Sequence, residues 1–271
     1  MLHWTSADLT SPWAPAAGTI VFMHGVGTTS DVWADWLPVL ADRFRLVRFD
    51  TRGFGRSAAP SPGFPWSLDG LADDVLAVAD AAGADRFHLV GESLGGTVAL
   101  HLAARGEPRV LSLTIMSTSH RGASIQRVRE WREFVGRHGM AAWSAMMMER
   151  RFAPGAIDSM RHDWFEREQA KCSADVTLDL ADMLIGADLT ARLASISVPT
   201  LVLAPDSSPF VPLEVAREIH RLVPDVELQV FASVRHGFVL SHAREGAAAL
   251  RAFLARRGLM NRPREVEPAG P

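Results

Sequence analysis

Short apolar runs alternate along the chain with longer segments whose apolar residues recur every three or four positions. Thr19–Met23, Phe44–Phe49, Phe87–Val90 and Val110–Met116 are too short for helices and end in glycine or polar residues, which predicts strands. Val32–Leu40, Leu68–Ala82 and Thr97–Arg105 lie between or after them with helical spacing. The alternation returns late, as a strand over Thr200–Ala204, a helix over Leu213–Leu222, a strand over Glu227–Phe231 and a helix over Ala243–Arg257. Strand and helix repeated at this pitch predict an α/β fold, a mostly parallel sheet flanked by helices on both faces.

From 119 to 187 the strand pattern stops. Four helices are predicted there, over Ile125–His138, Met140–Arg151, Ala156–Ala170 and Thr177–Ile185, and the sheet pattern then resumes without a new start. The expected division is a core over 1–118, an inserted helical cap over 119–187, the rest of the core over 188–260 and a flexible, proline-rich tail over 261–271. The tryptophans and the Met146–Met148 run of the cap either pack helix on helix or line an apolar substrate pocket. On the second reading Trp143 and Met147 would touch substrate, together with Trp33 from the core.

Composition narrows the chemistry. The chain has no tyrosine, one cysteine (Cys172) and one lysine (Lys171). A single cysteine makes neither an internal disulfide nor a cysteine-based zinc cluster, and Lys171 follows Ala170, so the Gly-Lys pair of a phosphate-binding loop is missing. The His162-Asp163 pair with Glu166 lacks His-Glu-x-x-His spacing, so no metal is expected. A net charge of −3 argues against nucleic acid as a partner. Residues 1–18 hold no basic stretch followed by an apolar run, and no apolar run approaches the roughly 20 residues that span a bilayer. The expectation is a cytoplasmic protein with a small-molecule substrate and no membrane partner; a homodimer stays open.

The strongest chemical signal is Gly91-Glu92-Ser93-Leu94-Gly95-Gly96, between a predicted strand and a predicted helix. That is the context of a nucleophile elbow, a tight turn that exposes the serine and needs small residues where neighbouring backbone comes close. The helix N-terminus behind Ser93 would favour a developing oxyanion. Glu92 is expected to point away from the site, as alternate residues around a tight turn do. Asp73-Asp74 reads as a solvated helix face.

With His24-Gly25-Val26-Gly27 after the first strand and Asp50-Thr51-Arg52-Gly53-Phe54-Gly55-Arg56-Ser57 after the next, the chain resembles the α/β-hydrolase superfamily over about Thr19 to Arg257. It is similar to the small members with a helical cap, and these use no metal or organic cofactor. Few residues precede Thr19, so one or both leading strands of such relatives should be short or missing. The resemblance implies an oxyanion hole from the backbone N–H groups of Val26 and Leu94. His24, Asp50 and Arg52 would brace the loops. The general base would be His236, in the loop after Glu227–Phe231, with His242 a weaker rival.

The acid fits the family pattern less well. Relatives usually place it four residues before a proline such as Pro212, and that slot holds Ser208. Asp206 stands two residues earlier, a displacement of about 7 Å in extended chain. Other relatives carry the acid after the preceding strand, but Ser117–Arg129 contains no Asp or Glu before Glu130. Asp206 is therefore the expected acid. The alternative is a site with a weak or absent acid, in which Ser208 only hydrogen-bonds the imidazole. The implied activity is cleavage of a carboxylic ester, lactone or related acyl bond. Carbon–carbon bond hydrolysis of ring-cleavage products, and ligand sensing with little turnover, are the alternatives.

Overall fold

The computed structural model describes residues 1–14 and 18–260. The predicted tail over 261–271 lies outside them. One sheet organises the molecule. Its seven strands are β1 (Trp4–Ala7), β2 (Gly18–Met23), β3 (Phe44–Phe49), β4 (Phe87–Glu92), β5 (Val110–Met116), β6 (Thr200–Pro205) and β7 (Val226–Phe231), in the spatial order β1-β3-β2-β4-β5-β6-β7. Only β1 runs antiparallel, pairing Trp4 with Phe49 and Ala7 with Leu46. One short leading strand is thus present at the edge.

Every residue of β2 and β4 is buried, as the central strands of a sheet covered on both faces must be. Side chains alternate between the faces. Val21, Met23, Leu89, Leu113 and Val202 face one apolar cluster, and Ile20, Phe22, Val90, Leu201 and Leu203 face the other. The first cluster is closed by α2 (Leu68–Ala81), α3 (Leu94–Ala104) and α7 (Leu213–Leu222). The second is closed by a 3₁₀ turn over Ser30–Trp36 with the short α1 (Leu37–Leu40), and by α8 (Phe238–Ser241) and α9 (Ala243–Arg256). Fully burying a phenylalanine such as Phe22 contributes about 1.5–3 kcal/mol. Trp36 also ties the second layer together, donating from its indole to the Val239 carbonyl at 2.9 Å.

Between β5 and β6 the described chain contains helices only: α4 (Trp131–Arg151), α5 (Ser159–Ala170) and α6 (Ala174–Gly186), with short 3₁₀ turns. The predicted break after His138 is a kink inside α4, where Gly139 takes φ 76° and ψ 174°. The predicted start at Ile125 is early by six residues, since α4 begins at Trp131. Residues 122–124 and 128–130 form 3₁₀ turns, and Arg127 between them is left-handed at φ 65°. Asp74 does not lie on a solvated face. Its carboxylate is buried and accepts two hydrogen bonds from Arg52, which fastens the loop after β3 to α2. Among the described residues no helix is long and apolar enough to cross a membrane.

Candidate active site

Ser93 occupies the one-residue turn between β4 and α3, with φ 53° and ψ −115°. A non-glycine residue in that region is strained, and the packing around it leaves no alternative. A Cβ at position 91 would come within 2.3 Å of the Gly95 carbonyl oxygen, and one at position 95 within 2.2 Å of the Met23 carbonyl oxygen. Backbone cannot yield as a flexible side chain can, so the spacing Gly-x-Ser-x-Gly follows from the crossing of β4 and α3 against the end of β2. The Ser93 amide donates to the Met116 carbonyl at 3.0 Å, which anchors the turn to β5.

His236 reaches this serine from the loop before α8. Its Nε2 lies 3.3 Å from Ser93 Oγ. The loop is held from several directions. Ser117 Oγ donates to the His236 carbonyl at 2.9 Å, the Gly237 amide donates to the Arg151 carbonyl at 3.0 Å, and Arg235 donates to the carbonyls of Glu149 and Phe152. The Phe210 ring meets the imidazole edge-on at 5.0 Å. Burial drives the His236 pKa well below the ordinary imidazole value, and the Arg151 charge pushes the same way. The ring is therefore neutral at neutral pH. His242, the rival, bonds Ser241 instead.

Asp206 is not brought to His236. Its Oδ1 accepts from the Ser233 amide at 2.7 Å and from Ser207 Oγ at 2.8 Å, so it fastens its own turn to the loop after β7. The chain turns immediately after β6 and directs this carboxylate toward Ser233, which is itself left-handed at φ 62°. The group at His236 Nδ1 is Ser208 Oγ, at 3.1 Å. Ser208 thus occupies the slot that the proline spacing marks out. Its oxygen also accepts from the amides of Phe210 at 3.3 Å and Val211 at 3.2 Å. A hydroxyl has two acceptor positions and one hydrogen. With the two amides on its lone pairs, the hydrogen is left for Nδ1, and this favours the neutral ring with its own proton on Nε2.

Val26 lies in the turn after β2, and Leu94 opens α3. Among the described residues neither backbone N–H donates to another protein group, as the first turn of a helix leads one to expect for Leu94. The loop bracing is as read from sequence. His24 Nε2 accepts from the Thr51 amide and Nδ1 meets the Gly25 carbonyl, while the Asp50 carboxylate accepts from the amides of Ser30 and Arg56. Ser93 and His236 open onto a narrow cavity, walled by Val26, Ile125, Trp131, Met147, Leu184 and Phe210 among others. Of the three expected substrate contacts, only Met147 lines it. Trp33 packs against Phe22 and Trp36 in the second core layer, and Trp143 stands behind Trp131, its ring 5.0 Å away.

The sequence profile of the alpha/beta hydrolase fold matches residues 18–140. The 3-oxoadipate enol-lactonase 1 of Acinetobacter baylyi is 30% identical over 207 residues, 71% of this chain and 72% of that protein. The chain belongs to the α/β-hydrolase family. RutD of Caulobacter segnis, a carbamate hydrolase by name, is 28% identical over 243 residues, 84% of this chain and 88% of that protein. The solved enol-lactonase of Burkholderia xenovorans superposes with a TM-score of 0.85 at 23% identity, covering 94% of this chain and 96% of its own.

Two charged residues of this α/β hydrolase, both missed in the sequence, surround the imidazole. Glu92 does not point away. Its Oε1 lies 3.9 Å from His236 Nε2, and its Oε2 sits where a side chain at Gly25 would be, 2.2 Å from an ideal Cβ. Burial raises its pKa to about 7, against the pull of Arg151 and of the Gly25 amide. Arg151, in the last turn of α4, is 4% exposed and lines the cavity; its Nη2 donates to the Val26 carbonyl at 3.3 Å and its Nε has no partner. Burial lowers its pKa, an effect that the Glu92 charge counters. The sequence held one signal for it: Arg151 stands four residues after Met147, on the same helix face.

Proposed function

We propose that this hydrolase cleaves a carboxylic ester, lactone or related acyl bond of a small, largely apolar substrate through an acyl-enzyme on Ser93. One observation carries the reading: a strained serine at a strand-to-helix turn, with its Oγ 3.3 Å from the Nε2 of a buried histidine, at the floor of an apolar cavity. Ser93 Oγ attacks the carbonyl carbon as its proton passes to His236 Nε2. The negative oxygen is met by the N–H groups of Val26 and Leu94, and the proton then goes to the leaving oxygen. Water repeats the sequence and frees the acid. The reactions for which the two relatives are named, enol-lactone and carbamate hydrolysis, are both acyl cleavages and support this class.

A second reading, ligand recognition with little turnover, draws support from Ser208. For Nε2 to accept the Ser93 proton the ring must carry its own proton on Nδ1, and the contacts of Ser208 favour the other tautomer. A fluorophosphonate probe with a p-nitrophenyl ester assay separates the two. Rapid labelling and turnover, both lost in Ser93→Ala, are the expected result. Labelling without turnover across esters and lactones selects the second reading, and no labelling of folded protein overturns the first.

A further inference from the structure

The site has a catalytic imidazole without a carboxylate on Nδ1, and a buried carboxylate oxygen without a hydrogen bond beside Nε2. We propose that Glu92 is the positioning residue that stabilises the protonated His236, acting across the Nε2 side in place of an acid on Nδ1. The inference rests on the serine-hydrolase reading. It follows from placement. Glu92 immediately precedes the nucleophile and is 1% exposed, its Oε1 lacks any hydrogen bond, and that oxygen is 3.9 Å from the nitrogen that must become positive. Glycine at 25 leaves room for the other oxygen.

The charges facing this pair come from few elements. Arg151 reaches both groups from α4, while Ser208 and Phe210 present only a hydroxyl and a ring from the loop after β6. Arg151 therefore lowers the pKa of both groups, and Glu92 is the one negative charge within ion-pair reach of His236 among the described residues. Glu92 takes no proton from Ser93. It contributes through its charge when the imidazole is protonated in the transition state, and it can do so only when ionised.

This sets the sign of the pH dependence. His236 is already neutral well below the ordinary imidazole value, so it adds no step near neutrality. Glu92 ionises as pH rises through about 7, and kcat rises with it. Glu92→Gln keeps the shape and removes the charge. The expected result is a kcat about tenfold lower or more at pH 8, KM within about twofold, and loss of the step near pH 7. Ser208→Asp in the Glu92→Gln background supplies a carboxylate on the Nδ1 side and restores kcat. An unchanged or higher kcat in folded Glu92→Gln, or a step near pH 7 that persists in it, overturns the proposal. Should Glu92→Gln not fold, the His236 ring resonances of the wild-type protein decide: a shift as pH crosses 7 supports the charge coupling, and its absence overturns it. Fluorophosphonate labelling of Ser93 tests the underlying hydrolase reading separately, since the probe reports the serine whatever Glu92 does.

Discussion

The two ends of the proposed proton path are built differently. At the nucleophile, β4, α3 and the end of β2 converge so tightly that backbone meets backbone, and the positions of Gly91 and Gly95 are dictated by contacts of 2.3 and 2.2 Å that any side chain would make. At the far end, the loop between β6 and α7 is open enough that Asp206 is exposed and turned toward Ser233, while Ser208 takes the place at the imidazole. The elbow is fixed by steric exclusion, which three converging stretches of backbone enforce together. The acid position depends on one side chain, and a serine there still holds the loop by accepting from the amides of Phe210 and Val211. The proposed catalytic geometry can therefore be intact at Ser93 and altered beyond His236 in the same molecule.

The contrast is broken most severely at the elbow. Gly95→Ala sets a methyl group against the Met23 carbonyl, where neither strand nor helix can retreat without disturbing the sheet. The expected loss of stability is about 3 kcal/mol or more, read as a lower urea midpoint, together with loss of fluorophosphonate labelling. Full stability and labelling in this variant would show that the elbow is looser than its contacts imply.

How far each region was legible in the sequence follows from the same difference. The elbow, the His24–Gly27 turn and His236 were readable because their residue types are imposed by sterics or by position after a strand. The alternation of Ile20, Val21, Phe22 and Met23 between two core clusters was implicit in a continuous apolar run too short to be a helix. At the acid position residue type and spacing point to different residues, Asp206 and Ser208, and it is the spacing that the fold obeys. Glu92 was expected to face away because the turn alternates, but the absent side chain at Gly25 makes room for its carboxylate. Trp33 and Trp143 looked like pocket residues because large aromatics serve cores and pockets equally well. Only the three-dimensional contacts put both in packing roles.

A smaller effect sharpens the contrast within the acid loop. Ser208→Ala removes the acceptor shared by the amides of Phe210 and Val211 and the group on His236 Nδ1. Two amides lose a partner, which costs about 1–2 kcal/mol in thermal or urea unfolding. The imidazole loses a contact that favours the less useful tautomer, so kcat should change by less than about tenfold. A fall of a thousandfold would instead make Ser208 a full substitute for the missing acid.

The smallest effect is expected at Asp206. The Asp206→Asn side chain still presents an oxygen to the Ser233 amide, now without charge, and that bond lies at an exposed turn. Charge-assisted hydrogen bonds are about twice as strong as neutral ones, and solvent at the turn offsets much of the difference, so a stability loss of about 0.5–1 kcal/mol is expected. The kcat and KM should stay within about twofold of wild type, because nothing connects this carboxylate to His236. A loss of a hundredfold or more in kcat would mean that the loop rearranges in the working enzyme and delivers Asp206 to Nδ1. The role assigned to Glu92 would then fall with the contrast itself, since an imidazole with a carboxylate on Nδ1 has no need of a second one at Nε2.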